Sequence, residues 1–292
     1  MEGNGLGSAK KEMSMPFGCV PVRGWCCAAL LAVGLMCVPE ARAWEAVTGG
    51  LPDQAVVAVD KSRQRFFLME KGKSRSYPCT TGQMQGDKQV RGDLKTPEGV
   101  YFVVRKRTEQ LDFQEYGGEA YILDYPNPVD RLRGKTGSGI WVHSRGRAIT
   151  PFESRGCVVL NLKDIAEVGP ELKRGTPVLI GERVEIVPRK ATVREVEERT
   201  RGWRKAWRRG EAGDGYIAPE RAASIRKIER QEKRARATFG PVRVLEGPGY
   251  VVSWFAQRTA LPGGGTETGV RRLYWEKRED GEYRIVGVAW DG

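Results

Sequence analysis

The chain of 292 residues has a single histidine, His143, and six cysteines. Four of the cysteines lie within the first 37 residues, so the remainder keeps only Cys79 and Cys157. One histidine and two cysteines cannot supply the four ligands of a closed structural zinc site, which excludes that class. Two uses remain for the thiols: a Cys79–Cys157 disulfide, or a buried Cys79 beside a reactive Cys157.

A long hydrophobic run is also missing. The apolar stretch Trp25–Val38 has fourteen residues, whereas a membrane span needs about 20. Basic residues precede it and an Ala-x-Ala pattern follows it, which predicts a signal peptide over residues 1–43 with cleavage before Trp44. An uncleaved anchor is the alternative. A lipid-modified Cys37 is disfavoured because Met36 stands where a small residue is needed.

The charge is strongly one-sided, with a formal net charge of +12. A basic balance suits nucleic acid, an anionic envelope polymer or an acidic substrate. The chain has no recognisable nucleic-acid motif, and it has a predicted export signal. We therefore expect an exported protein of the periplasm or cell wall, without a nucleic-acid partner and without a membrane span after signal cleavage.

One stretch brings together residue types suited to nucleophilic catalysis. Gly139–Val142 predicts a short strand that delivers His143, and a tight turn at Ser154–Cys157 precedes a second strand. A histidine activates a cysteine by taking its proton or lowering its pKa, so a thiolate is expected below the ordinary thiol pKa of about 8.5. Gly156 lets the backbone approach a substrate carbonyl, where N–H groups form an oxyanion hole. The alternative is a structural thiol and a satisfied polar histidine.

The same stretch resembles the motif of the L,D-transpeptidase catalytic domain, a family of cysteine enzymes of bacterial cell walls. His143-Ser144 matches its histidine element, and Ser154-Arg155-Gly156-Cys157-Val158 matches its cysteine element. The resemblance covers residues 54–182. It implies that Cys157 is the nucleophile, that His143 is the base, and that the backbone carbonyl of Ser144 orients the imidazole.

One position departs from the family pattern. Most members have arginine two residues after the cysteine, and this chain has Val159. Binding of a substrate carboxylate then falls to Arg155, Arg145 or Arg147, which the sequence alone does not rank. The departure resembles a branch that trims peptides rather than cross-linking them. We expect the substrate-binding residues to be Arg155, Ser154, Tyr125 and Arg145.

The predicted fold is a β-rich catalytic domain, an L,D-transpeptidase-like β-sandwich with short helices, over residues 54–182. Short runs rich in β-branched and aromatic residues, separated by turns, predict strands at 55–59, 64–70, 77–81, 100–105, 120–123 and 176–180. The turn Thr96–Gly99 recurs in the family before a core strand. Residues 111–138 are expected to form a flap beside the site. Their GKTGSG segment lacks the spacing of a phosphate loop.

The C-terminal third predicts a second domain. Residues 183–200 are expected to be a linker turning into a helix, and residues 201–292 an α+β cone. This part resembles the nuclear-transport-factor-like domain attached to some cell-wall L,D-carboxypeptidases. Trp203 and Trp207 are four residues apart and share one helix face, which favours core packing over nucleic-acid binding. The domain is expected to bind or position, contacting a wall-bound protein or glycan.

Together these observations predict an enzyme that acts on peptidoglycan stem peptides. Cys157 would form a thioester at the bond to the terminal D-Ala and pass the acyl group to an amine or to water. A strict L,D-carboxypeptidase is the first alternative, and a non-catalytic wall-binding protein is the second. The resemblance implies no metal and no organic cofactor.

Overall fold

A computed structural model describes residues 44–49, 54–187, 191–211, 213, 215–229, 237–260 and 264–292. The predicted signal segment, residues 1–43, lies outside them. In chain order the strands are β1 (Trp44–Gly49), β2 (Val56–Asp60), β3 (Arg65–Glu70), β4 (Lys73–Thr80), β5 (Gly99–Arg107), β6 (Ala120–Leu123), β7 (Trp141–Ser144), β8 (Val158–Leu160), β9 (Pro177–Gly181), β10 (Val184–Val187), β11 (Ala237–Phe239), β12 (Arg243–Gly247), β13 (Tyr250–Ala260), β14 (Thr266–Lys277) and β15 (Tyr283–Asp291). The helices are α1 (Phe113–Tyr116), α2 (Pro128–Leu132), α3 (Leu162–Val168), α4 (Ala191–Arg209) and α5 (Ala222–Glu229).

Eight strands form a closed barrel in the order β2-β3-β4-β8-β7-β6-β5-β9, and β9 pairs with β2 in parallel to close it. The predicted β-rich class with short helices is confirmed for this part of the chain. Closure into one sheet leaves the barrel without an open edge. The parallel pair β7–β8 is the part of the barrel that positions the candidate site.

The strand β2 is buried along its whole length because both of its faces are covered. Val57 and Val59 join the cluster inside the barrel. Val56 and Ala58 join a second cluster, where the outside of the barrel packs against the C-terminal sheet. Successive side chains of a strand point to opposite faces, so a continuous apolar run results when both faces are covered.

The C-terminal sheet has the order β10-β1-β12-β13-β14-β15, with β11 added beside β13. Helix α4 packs Trp203 and Trp207, both fully buried, against one face of this sheet, as predicted from their spacing. Residues 183–200, predicted as a linker turning into a helix, contain the strand β10 and the first half of α4. The helix-then-sheet order is observed, and the nuclear-transport-factor-like assignment stays a prediction.

The second face of the C-terminal sheet is joined to the barrel by apolar packing and polar contacts. Trp254 meets Phe102 edge-to-face, with ring centroids 5.4 Å apart. The buried hydroxyl of Tyr250 accepts from the Val100 backbone N–H at 2.9 Å and from the Asn127 side chain at 3.0 Å. Because these buried polar groups are hydrogen-bonded, they fix the orientation of the sheet relative to the barrel at this apolar contact. Among the described residues, no helix has the length and apolar character needed to cross a bilayer.

Candidate active site

The pairing of β7 with β8 brings His143 and Cys157 to one cleft. Val142 lies opposite Val158 in parallel register, so Cys157 sits directly before β8 and level with Trp141 at the start of β7. The cleft has a volume of about 430 Å³. Its lining residues are Gln83, Glu115, Tyr116, His143, Arg145, Arg147, Glu153, Ser154, Arg155 and Cys157.

His143 is buried and held by the carbonyl that the resemblance implies. Its Nδ1 lies 2.8 Å from the backbone oxygen of Ser144. A carbonyl oxygen can only accept, so Nδ1 carries the proton and Nε2 keeps its lone pair. Burial is the main cause that lowers the pKa of His143 to about 4. The imidazole is therefore neutral at pH 7 and can act as a base.

Cys157 is half-buried, and its thiol donates to the carbonyl oxygen of Gly139 with Sγ and O 3.4 Å apart. Burial raises the pKa of Cys157 to about 11, although the Trp141 backbone N–H and the charges of Arg145 and Lys88 lower it in part. The expectation of a thiolate formed below 8.5 is therefore wrong for the resting site. Proximity to histidine does not lower a thiol pKa when the imidazole itself is neutral. Cys79 is also a free thiol, so the disulfide alternative is not observed.

Alkylation measures this resting state directly. The rate at Cys157 is expected to rise about tenfold per pH unit from pH 7 and to level off near its pKa of about 11. Cys79 should react more slowly throughout, because burial raises its pKa further and shields it. Peptide mass spectrometry after timed iodoacetamide treatment separates the two sites, with Cys157→Ala isolating the signal of Cys79. Half-maximal reaction at or below pH 8.5 would contradict the neutral-thiol assignment.

Ser154 and Gly156 stabilise the turn that contains Cys157 through hydrogen bonds inside the turn. The Ser154 hydroxyl donates to the Cys157 carbonyl at 2.6 Å and accepts from the Gly156 N–H at 3.1 Å. Both predictions for these residues need correction. Ser154 is buried and committed to the turn rather than open to substrate. The Gly156 N–H is occupied, and the residue is needed for its φ of 127°, since a Cβ would lie 2.8 Å from the Lys95 carbonyl oxygen.

Thr96, from the recurring Thr-Pro-Glu-Gly turn, anchors the same loop. Its buried hydroxyl accepts from the Gly82 N–H at 2.8 Å and donates to the Gly156 carbonyl at 3.0 Å. The sequence predicted only a turn that leads into β5. The structure shows that the turn supplies the hydrogen bond that fixes the backbone next to Cys157.

Thr96→Val is expected to lower the free energy of unfolding by about 1–3 kcal/mol, because two buried backbone groups lose their partner. Turnover should fall further than this loss explains, since the nucleophile loop is released. Thr176→Val is the matched control, because its buried hydroxyl donates to the Glu171 carbonyl at 2.9 Å outside the cleft. Chemical denaturation and initial rates compare the two. Equal effects on turnover would show that Thr96 has only a structural role.

Tyr125 lies in the barrel core, and its predicted contact with substrate is corrected. Its hydroxyl donates to the Thr136 carbonyl at 3.1 Å, and its ring meets Tyr101 edge-to-face at 5.8 Å. The following Asn127 and Asp130 form a capping box at the start of α2. The sequence Tyr125-Pro126-Asn127 with Asp130 is therefore explained by local structure.

The loop that contains GKTGSG is also held by internal contacts. Lys135 is buried, with Nζ 2.7 Å from Asp87 Oδ2 and 2.9 Å from Asp130 Oδ1. A lysine paired with two carboxylates has no free charge for a phosphate. The predicted flap region, residues 111–138, does contribute α1 to the cleft, through Glu115 and Tyr116. The ring of Tyr116 lies 5.1 Å from that of His143.

Several residues that line the cleft were not predicted from the sequence. Gln83, Glu115, Tyr116 and Glu153 are far from the motif or inside its variable spacer. A local signal existed only for α1, where Asp112 accepts from the Glu115 N–H at 3.0 Å and Gly117 ends the helix. The predicted Arg145 and Arg155 both line the cleft, together with Arg147.

Comparison with known proteins agrees with this geometry. Residues 54–180 match the family model of the YkuD domain, the L,D-transpeptidase catalytic domain. The barrel is therefore an L,D-transpeptidase catalytic domain, and the resemblance seen in the sequence is confirmed. A search of curated proteins finds no match to the chain.

Two solved structures share the fold over most of the chain. The helical cell shape determining protein Pgp2 from Campylobacter jejuni superposes with a TM-score of 0.61 and 23% identity, covering 85% of this chain and 93% of that one. Bd1075 from Bdellovibrio bacteriovorus has a TM-score of 0.59 and 23% identity, covering 82% and 92%. At this identity the likeness shows the fold.

Proposed function

We propose that the protein is an exported cysteine acyl-transfer enzyme acting on peptidoglycan stem peptides. The observation that carries this proposal is the bond between His143 Nδ1 and the Ser144 carbonyl, which leaves Nε2 as a base in the cleft of Cys157. The L,D-transpeptidase domain supplies the substrate class. The relative Pgp2 is described as a cell shape determining protein, which supports a role in wall and cell-shape biogenesis.

The first chemical step starts from a neutral pair. As Sγ attacks the carbonyl of the L-centre residue before terminal D-Ala, its proton passes to Nε2 of His143. The Ser144 carbonyl stabilises the imidazolium through Nδ1–H. Because the Gly156 N–H is occupied, we assign the oxyanion to the Cys157 N–H. Collapse of the intermediate breaks the C–N bond, and the imidazolium protonates the departing D-Ala amine.

The second step decides the reaction type. His143 takes a proton from the acceptor as it attacks the thioester, and the thiol is released. An amine acceptor gives a cross-link, and water gives a tripeptide. Val159 is buried in β8, so the family's usual arginine is replaced there by an apolar side chain. This observation favours the strict L,D-carboxypeptidase as the second candidate.

A non-catalytic wall-binding protein is the third candidate. The observation in its favour is the neutral Cys157 thiol, which is directed at the Gly139 carbonyl. A buried base in the same cleft argues for catalysis, because it lets a neutral thiol react without prior ionisation.

Export and the C-terminal domain complete the proposal. The Ala41-Arg42-Ala43 pattern after a short apolar run supports removal of residues 1–43. The C-terminal domain presents a basic groove lined by Arg201, Arg204, Lys205, Arg208 and Phe239. We assign it the binding or positioning role, toward a wall-bound protein or an anionic glycan.

Mass spectrometry of muropeptides tests the function. Sacculi are incubated with the purified protein and, in parallel, with Cys157→Ala. Tripeptides with free D-Ala that depend on Cys157 would define an L,D-carboxypeptidase. New links between two diaminopimelate residues would define a transpeptidase. If no product depends on Cys157, the enzymatic proposal fails and the binding protein takes its place.

A further inference from the structure

Arg145 is a cation built into the wall of the cleft, directly after β7. The residue is only 8% exposed. Its Nη1 lies 3.3 Å from Glu153 Oε1, while its buried Nε–H has no hydrogen-bond partner among the described residues. A buried guanidinium with an unmet donor is a costly feature in the absence of a ligand.

Glu153 holds this arginine without neutralising the cluster. Its carboxylate accepts from the Thr150 N–H at 3.1 Å, from the Thr150 hydroxyl at 3.0 Å and from Arg147 at 3.0 Å. Burial raises the pKa of Glu153, but these contacts and Arg145 outweigh it and keep the pKa below its usual range. Two arginines therefore share one carboxylate, and one positive charge remains for an anion.

The other two arginines of the cleft are less suited to bind a ligand. The Arg147 side chain is 55% exposed and donates to the Ala148 carbonyl at 3.2 Å. Arg155 is exposed. Fixing an exposed arginine on a ligand costs side-chain entropy, whereas Arg145 is already held.

Arg145 also acts on both reacting groups. Its charge lowers the pKa of His143 and that of Cys157, although burial is the larger influence on each. Arg145 lines the same cleft as His143 and Cys157, so an anion bound by Arg145 lies close to the scissile bond.

We propose that Arg145, anchored by Glu153, binds the free C-terminal carboxylate of the stem peptide and so restricts the site to bonds one residue from a free chain end. This inference rests on the proposed function, whose substrate ends in D-Ala. A planar guanidinium matches a carboxylate through two parallel N–H donors. Arg145 thus binds the substrate carboxylate, which the apolar Val159 cannot do.

Binding tests the inference separately from turnover. Two synthetic tetrapeptides, one with a free C-terminal carboxylate and one with a C-terminal amide, are titrated calorimetrically into the full chain carrying Cys157→Ala. The acid is expected to bind about 10- to 100-fold more tightly, as for other hydrogen bonds to charged groups. Adding Arg145→Gln should remove this ratio by weakening the acid alone, and Arg145→Lys should restore part of it. Arg147→Gln shares the Glu153 contact and should keep the ratio.

Three results would overturn the inference. These results are equal binding of acid and amide, loss of both ligands in Arg145→Gln with the fold intact by circular dichroism, and loss of the ratio in Arg147→Gln. Turnover of the same peptides by the unmodified chain tests the proposed function. If binding depends on Arg145 but neither peptide is turned over, the carboxylate site stands and the proposed enzymatic function is rejected.

Discussion

Replacing His143 with glutamine is expected to slow thioester formation by about 10⁴-fold at pH 7. The pKa of Cys157 is about 11, so without a base only about one thiol in 10⁴ is ionised at pH 7. Glutamine has a similar size and can still donate to the Ser144 carbonyl, so the pocket should remain filled. The loss then reports the missing proton acceptor rather than a collapsed cleft.

The pH dependence makes this prediction specific. The rate of the His143→Gln variant should rise about tenfold per pH unit toward pH 11 and approach that of the unmodified protein. The unmodified protein should lose activity only as the pH falls through about 4, because the base works as neutral imidazole and its pKa is lowered to about 4. Pre-steady-state release of D-Ala from a tetrapeptide measures both profiles, with Cys157→Ala as the blank. An acid limb near pH 6.5, or a variant-to-parent ratio that does not change with pH, would argue against a buried neutral pair.

The sequence predicted the features that depend on local pattern. The strands β6 and β8 begin and end where the short apolar runs indicated, because a continuous apolar run bounded by turn residues is visible in a few residues. The resemblance predicted that His143 and Cys157 act together, and the parallel pairing of β7 with β8 brings both residues to one cleft. The family match then covered the residues that the motif indicated.

Features that depend on distant partners were missed. The strand β1 pairs with β10 and β12, which lie at the other end of the chain, and nothing within six residues indicates such partners. The hydroxyl of Ser154 was interpreted as a substrate contact because its bonds inside the turn are not visible in spacing. The thiol pKa was wrong for a related reason: burial depends on the packed structure, and here it outweighs the neighbouring cations.

Truncating Trp254 is expected to lower the free energy of unfolding by about 3–5 kcal/mol, because a large buried side chain leaves a cavity. Trp254 is 2% exposed and joins the C-terminal sheet to Phe102 of the barrel. Trp203→Ala is the matched control, since it removes the same buried side chain from the separate core between α4 and the sheet. Scanning calorimetry compares the two losses of stability. Ala256→Ser, at an exposed position of the strand that contains Trp254, should change the free energy of unfolding by about 0.5 kcal/mol or less.

The two tryptophan variants should differ in which strands lose protection from hydrogen exchange. Phe102 lies on β5, whose Val100 N–H donates to Tyr250 of the C-terminal sheet. The strand starts at Gly99, three residues after Thr96, whose hydroxyl holds the Gly156 carbonyl beside the nucleophile. Hydrogen exchange of β5 should therefore accelerate more in Trp254→Ala than in Trp203→Ala, and turnover should fall with it. Equal protection of β5 in both variants would mean that the C-terminal sheet packs on the barrel without supporting its active site.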